Sequence, residues 1–412
     1  MKENRCDLAV IGGGPAGFFG ALQYAALRPA AEVIILEKTD RVLQKVLISG
    51  GGRCNITHDC DDPRELIQSY PRGGKALLSG LYGFGPSATL HWFRERGLDF
   101  YTDEIGCVFP VTDQSQSVID VLLKEAELLG VRIWQDAGVD QVEMLDDSFL
   151  MDLPHGNQLQ ANKILWATGG NRQSIKLLRQ MGIPIINPVP SLFPFRLSEN
   201  WLMEFAGLSV EACTVAIPGT EFAASGTVLI THHGISGPGV IRLSSWAARY
   251  LKENNYNVPV QIDWLAQAGN QEQTLEILKI WKKQHANKQV ATQPVFSVFA
   301  NRLWQGICTQ VGAVSTKRWG DVSNGELAAL NQMLRAMPLT ITSRDQHKQE
   351  YVTCGGVDLQ SVNLRTMESK THPNLFFAGE VLDIDGLTGG YNLQNCWTTG
   401  WLAGNSLASA KQ

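Results

Sequence analysis

No apolar run in this sequence is long enough to cross a bilayer as a helix, which excludes a helical membrane protein. Charge of one sign is also lacking: 35 Lys and Arg against 40 Asp and Glu leave a formal net charge of -5. That removes an overall nucleic-acid footprint and leaves room only for a local basic patch. The eight cysteines form no CxxC pair and no zinc spacing, so no metal site is expected and a reduced, cytoplasmic protein is the simplest reading. The apolar N-terminus is not expected to be a secretion signal, because Asp7 interrupts it and its glycines serve a nucleotide turn. There is no internal repeat, and the glycine fingerprint near the N-terminus has no second copy. An architecture with two complete dinucleotide folds is therefore not expected.

What is present is a globular composition, 44% hydrophobic and 18% charged over 412 residues, enough for two or three domains. Asp7 to Ile11 is a short apolar run of buried-strand type, and an alanine-rich stretch from Ala16 reads as helix to about Leu27. Between them lies Gly12-Gly13-Gly14-Pro15-Ala16-Gly17. Gly12 permits a tight turn, Gly14 lets the backbone approach a pyrophosphate, and Gly17 allows close packing of helix on strand. The phosphates would then sit at the positive helix N-terminus. A second strand, Val33 to Leu36, ends at Glu37, twenty residues after Gly17, where a carboxylate accepts hydrogen bonds from a ribose 2′-OH. Strand, turn, helix, strand and acid together indicate a bound dinucleotide.

Further along, the loop Ser49 to Thr57, with Gly52, Arg53, Cys54 and Asn55, is suited to wrap an anionic cofactor or is an ordinary flexible turn. Helical patterns run from Ala88 to Arg96 and from Ser117 to Leu129. Strand signals at Val131 to Trp134, Val139 to Met144 and Ser148 to Leu153 suggest a small meander. Lys163 to Ala167 is a buried strand running into Thr168-Gly169-Gly170, a feature recurrent in flavoproteins. Pro184, Pro188, Pro190 and Pro194 mark a domain boundary near 190. Strand-like pieces at Leu208 to Ile217, Glu221 to Ile230 and Val258 to Asp263 suggest a small β-barrel, with a helix from about Gly239 to Leu251. Helices are expected at Gln271 to His285, Val295 to Val311 and Asn324 to Met337, before the nucleotide-domain texture returns near 350.

The C-terminal segment selects the cofactor. Leu375 to Ala378 reads as a strand returning to the central sheet and ending at Gly379-Glu380, whose acid can bond the ribitol hydroxyls of FAD. A helix starting near Tyr391-Asn392-Leu393 would aim its N-terminal N–H groups at the flavin pyrimidine edge, where negative charge gathers on reduction. A dehydrogenase using nicotinamide alone has no need of this second contact set.

Gly51-Gly52-Arg53-Cys54-Asn55, Thr231-His232-x-Gly234-x-Ser236-Gly237-Pro238, Gly355-Gly356-Val357, Thr366 to Lys370 and the run Ala378 to Asn392 with Asp383 and Gly390 resemble the BaiN/RdsA-type (YhiN-like) bacterial flavoproteins. These are variously called aminoacetone-oxidase-like proteins, bile-acid enone reductases and ribosomal RNA dihydrouridine synthases. The resemblance covers almost the whole chain. It implies an α/β protein with a Rossmann-type FAD-binding domain (1–190 and 350–412) split by an insert. That insert is a small β-barrel (191–267 and 338–349) carrying a helical subdomain (268–337). The cofactor set it implies is Gly12, Gly14 to Gly17, Glu37, Lys38, Gly52, Arg53, Asn55, Val139, Thr168 to Gly170, Gly379, Glu380, Asp383 and Gly390 to Leu393. One departure stands out: after Gly170 the family usually has a further serine- and glycine-rich loop, whereas here Asn171-Arg172-Gln173-Ser174 leads directly into a helix.

The resemblance implies FAD redox chemistry, in several members the reduction of a polarised C=C bond, with NADH or NADPH as a transient hydride donor. Cys54 is a candidate acid or a small packed thiol. His232 is a candidate for substrate orientation or proton delivery, or a structural histidine, and Arg53 would hold an anionic substrate or the cofactor. A small molecule or nucleobase is the expected substrate, with uridine in ribosomal RNA as a named case. Lys279, Lys282, Lys283, Lys288, Lys317, Arg318 and Trp319 would offer RNA a cationic and stacking surface, or are simply a solvated face. An amine oxidase releasing peroxide and a non-catalytic redox sensor are the alternatives.

Overall fold

The computed structural model describes residues 4–312, 316–344 and 352–409. The chain divides into two compact units, Met1–Val189 with Val352–Gln412, and Pro190–Tyr351.

The first unit is built on a sheet whose parallel core is ordered 375–377, 157–166, 4–11, 33–36, 132–134. Its centre is β1 (Asn4–Ile11), apolar on both faces as a parallel strand covered by helices requires. The register fixes the site. Ile11 aligns with Leu36 and Trp166, Leu36 with Trp134, and Phe377 with Trp166. All five strands therefore finish on one line, and Gly12, Glu37, Ala167 and Ala378 leave the sheet at the same carboxyl edge. Each exit is held by a ladder bond to a neighbour: Gly12 N–H to Leu36 O (2.8 Å), Glu37 N–H to Trp134 O (2.8 Å), Ala167 N–H to Ile11 O (2.8 Å) and Ala378 N–H to Trp166 O (3.1 Å). Ligands in open α/β sheets bind along this edge.

Behind β1 and β2 (Val33–Leu36) runs α1 (Pro15–Leu27), buried on nearly every side over its first three turns. It is covered by the C-terminal helix Tyr391–Ser409, and glycines make the covering possible. A Cβ at Gly20 would fall 2.3 Å from Leu165 Cδ2, at Gly400 2.7 Å from Ala16 O, and at Gly404 2.7 Å from Gly20 O. Gln23 Nε2 donates to Asn405 Oδ1 (3.1 Å) and Arg28 Nε to Ala408 O (2.9 Å). Contacts that advance together along both helices mean that the helices run parallel. Phe18, Phe19 and Trp397 are buried around this seam, with Phe19 and Trp397 rings 5.3 Å apart.

The second unit holds a closed six-stranded antiparallel barrel in the order 195–197, 234–236, 223–231, 209–216, 258–263, 337–344. Closure leaves no sheet edge to protect. Its alternating inward residues, Val215, Val228, Ile230, Val260, Ile262 and Ile341, are fully buried. The helices Gln271–Gln284 and Asn324–Arg335 open with capping boxes at Asn270/Gln273 and Ser323/Glu326.

Two expectations change at this level. The helix expected from Gly239 to Leu251 is two helices, Pro238–Trp246 and Ala248–Glu253, joined at Ala247. The one expected from Val295 starts only at Asn301, because Pro294 and the turns after it interrupt the chain. The proline-rich stretch near 190 is partly extended, with Ile185–Ser191 paired to Val352–Val357.

Gly400→Val is expected to cost about 1–3 kcal/mol through overpacking against Ala16. A lower urea midpoint with an unchanged slope would show this; an unchanged midpoint would mean that the two helices do not need their close approach.

Candidate cofactor site

The N-terminal turn has the geometry that a bound pyrophosphate requires. Gly12 sits at φ +111°, and a Cβ there would lie 2.5 Å from Ala167 O. A Cβ at Gly17 would be 2.1 Å from Gly12 O, so the helix enters the turn in backbone contact with it. Gly14 differs: a Cβ there would meet nothing within 4 Å. The helix N-terminus beyond Gly14, with Pro15 and Ala16 in its first turn, has no side-chain cap. Open space therefore adjoins uncapped N–H groups at the positive end of a 13-residue helix.

Glu37 accepts from Gly13 N–H (3.0 Å), Thr39 N–H (3.0 Å) and the Thr39 hydroxyl (2.9 Å). Its carboxylate thus fixes the glycine turn as well as standing at the end of β2. Of roughly four lone-pair positions three are used, which leaves one for a ribose hydroxyl. Gly12, Glu37, Lys38, Val139 and Thr168 line one cleft, as do Asn171, Gln173 and Ser174, none of which carries a recognisable motif.

At the other end of the site Gly379, at φ +74°, packs so closely that its Cβ would lie 2.7 Å from Ala16 Cβ. Its N–H donates to Thr399 Oγ1 of the C-terminal helix (2.8 Å). Glu380 pairs with Lys45 and accepts from Thr353 N–H (2.9 Å). Its carboxylate is therefore engaged by protein groups, and the expected ribitol contact would have to be shared with them. Gly169 borders this pair, and Gly170 is pressed against Thr353. Asp383 donates its N–H to Val357 O (3.1 Å).

The start of the C-terminal helix is held from several sides. Asn392 accepts from Gly386 N–H (2.9 Å) and donates to Gly386 O (2.8 Å) and Leu387 O (3.2 Å), so its side chain shapes the glycine loop. Gly390, at φ +89°, would place a Cβ 2.4 Å from the Thr57 backbone. With its amide oriented to suit its neighbours, Asn55 accepts from Gly390 N–H (3.3 Å) and donates to Thr57 O (2.9 Å). Tyr391 and Leu393 are buried; the Tyr391 carbonyl accepts from Tyr70 OH (2.7 Å) and its ring stacks on His58. Asp385, without exposed surface, is paired with Arg72. The supports Lys45, His58, Tyr70 and Arg72 could not be found from the sequence, because their partners lie more than 300 residues away.

The catalytic candidates fall in different surroundings. Cys54 has no exposed surface, adopts φ +63°, and burial pushes its thiol up to about 12. Those facts favour the packed-thiol reading. Arg53 is exposed and lies over the Phe109 ring, 4.2 Å from its centroid, while Gly52 is exposed beside it. His232 is exposed on a turn of the barrel and belongs to the other unit. The expected RNA surface is altered. Trp319 is 1% exposed and cannot stack on a base, Lys317 is paired with Glu326 (2.7 Å), and Lys282 is bound to Val322 O.

The comparisons with known proteins agree with this architecture. The family described as the HI0933-like protein Rossmann domain matches residues 6–406. The chain belongs to this family. A ribosomal RNA dihydrouridine synthase of Escherichia coli is 29% identical over 99% of this chain and 99% of its own length. A 3-dehydro-bile acid delta(4,6)-reductase of Clostridium scindens is 28% identical over 97% and 98%. Among solved structures, 3-ketosteroid delta1-dehydrogenase from Sterolibacterium denitrificans covers 99% of this chain and 100% of its own at 10% identity, with a TM-score of 0.54. That likeness is one of fold: an α/β, Rossmann-type FAD-binding domain split by an insert with a barrel and helices.

Gly14→Val separates fold from binding, since its side chain would point into open space where phosphates are expected. Urea unfolding should stay within about 1 kcal/mol of wild type, whereas FAD affinity should fall at least about tenfold; unchanged FAD retention would remove the pyrophosphate assignment. Among the cysteines, the half-buried Cys60 should alkylate first at pH 8, and Cys54 only on unfolding. Mass-mapped labelling with iodoacetamide reads both.

Proposed function

We propose that the chain is an FAD-dependent oxidoreductase, an NAD(P)H-linked reductase of a polarised C=C bond in a small molecule or nucleobase. The observation that carries the reading is the parallel packing of α1 and the C-terminal helix. Because Ala16 lies level with Gly400 and close to Gly379 and Cys396, both helix N-termini open toward the same end of the unit. The C-terminal helix begins nine residues before Gly400, so its N-terminus lies about 14 Å beyond the level of Ala16. Two positive helix ends, one beside a glycine turn and one behind a second glycine loop, suit a ligand with negative charge at two separated places. FAD is such a ligand: a pyrophosphate and, on reduction, a pyrimidine edge.

The residues present fit that group. Gly14 leaves the cradle open, Glu37 keeps a lone pair for ribose, and Gly389 and Gly390, both at positive φ, bring the backbone to the start of the C-terminal helix. When bound, FAD supplies the hydride that reduces the electron-poor carbon. The protein's own part is to hold charge and shape: the helix ends balance negative charge, the Lys45–Glu380 pair braces the middle of the site, and the Asn392 clamp keeps the glycine loop from collapsing. Arg53 remains a candidate for contact with an anionic substrate, and His232 one for substrate orientation or for delivery of the single proton that completes the reduction.

One relative is named a 3-dehydro-bile acid delta(4,6)-reductase and another a ribosomal RNA dihydrouridine synthase, whose named product is a hydrogenated pyrimidine. They support the reductase reading over an amine oxidase or a sensor. The pairing of Lys317 and the burial of Trp319 weaken an RNA docking role for the helical region, so the small molecule or free nucleobase is placed first.

Anaerobic stopped-flow mixing with NADH and NADPH should bleach the flavin band, and the reduced protein should be reoxidised faster by an α,β-unsaturated ketone or a uridine-containing RNA fragment than by air. No bleaching by either nucleotide, together with bleaching by an amine and peroxide release in air, would replace the reductase with the oxidase.

A further inference from the structure

The connection after Gly170 is short, and its consequence lies in the cleft beside Glu37. Asn171 caps the helix Arg172–Gln180 directly, its Oδ1 accepting Ser174 N–H at 3.0 Å. Ser174 Oγ accepts from Trp166 Nε1 (2.6 Å) and lies 2.6 Å from Thr168 Oγ1. The first turn of this helix is thereby tied to the carboxyl end of the strand Asn157–Trp166, next to β1. Gly170 packs closely on Thr353, for a Cβ there would fall 2.2 Å from Thr353 Oγ1. Ser174, Gln173 and Leu177 of this helix line the same cleft as Leu36 and Val139. The cap thus fixes where Gln173 is presented.

Gln173 is exposed, and its carboxamide makes no hydrogen bond among the described residues. Leu36, Val139 and Leu177, all buried, give the cleft apolar walls suited to a flat ring. A carboxamide beside such walls offers an acceptor and a donor in one plane, the pattern that meets the N6 amino group and N1 on one edge of adenine.

We propose that Gln173 reads the adenine edge of the bound dinucleotide, with the Asn171 cap holding its helix in place of the longer loop. This inference rests on the FAD reading for the identity of the dinucleotide, but the adenine contact is separable from the flavin. Guanine presents an oxygen where adenine presents an amino group, and a base blocked at N1 and N6 offers the carboxamide neither partner.

The test uses the full-length protein freed of flavin and titrated with FAD and with 1,N6-etheno-FAD, and likewise with ADP and etheno-ADP. A bidentate amide contact is worth about 5- to 150-fold in discrimination. Wild type should prefer each adenine form by at least about fivefold, and Gln173→Leu should lose that preference by weakening FAD and ADP while leaving the etheno forms unchanged. Gln173 is exposed, so urea unfolding of the variant should match wild type. Equal affinity of wild type for plain and blocked bases, or an equal change in both on substitution, overturns the inference. Gln173-dependent binding of ADP without binding of FAD leaves the inference standing and overturns the flavin reading. Binding of neither nucleotide overturns both.

Discussion

The rest of this structure depends on the approach of two helix backbones from opposite ends of the chain. Ala16 and Gly20 on α1 meet Gly400 and Gly404 on the C-terminal helix with no side chain between them. A glycine in the middle of a helix costs roughly 0.5–1 kcal/mol relative to alanine, and here three are placed along one seam. The close approach that they allow keeps the two helices parallel and side by side, and it sets the two glycine loops at the same edge of the sheet. A larger side chain at the seam would separate the loops before it changed either of them. The arrangement of the site is thus decided by packing that itself touches no ligand.

The same seam shows why some of the site was legible in the sequence. Asp7 to Ile11, Gly12 to Gly17 and Val33 to Glu37 are local signals: a buried strand, a turn needing positive φ and a second strand, all within about 30 residues. They foresee β1, α1 and β2, and the family and fold agree with the α/β reading built on them. The return of Leu375 to Ala378 was legible for the same reason, as an apolar run ending in glycine. What escaped were pairings across distance. Arg72 is an ordinary surface cation until the fold sets it against Asp385, 313 residues later. Lys45 is one of many lysines until it meets Glu380. Tyr70 has no motif, yet its hydroxyl anchors the carbonyl of Tyr391. Short elements were hidden as well: Thr57–His58, Phe100–Thr102 and Cys107–Pro110 are too brief for their alternation to show, and only together do they make a sheet. Trp319, read as a surface ring, lies in the core, because residue type does not report which side of a turn faces inward.

A fixed scaffold with fixed charges also explains how relatives with different named substrates can share it. The features that suit a flavin, namely the uncapped helix ends, the strand register and the glycine loops, belong to the first unit alone. Nothing in that set of features distinguishes one substrate from another. Substitution of the exposed Arg53 or His232 leaves the register of the sheet and the helix seam untouched.

The division of the sheet between the two ends of the chain has a temporal consequence. Arg28 bonds the carbonyl of Ala408, a partner synthesised 380 residues later; at 5–20 residues per second this is a wait of roughly 20–75 s on a ribosome. Until then the end of one strand, Ile164–Trp166, lacks its partner Leu375–Phe377, and the apolar face of α1 lacks its cover. An unpaired parallel edge beside bare apolar surface is prone to join another nascent chain. The inserted unit is complete in sequence before the last strand and helix emerge, so the half-sheet must be sheltered while a whole unit is made between its parts.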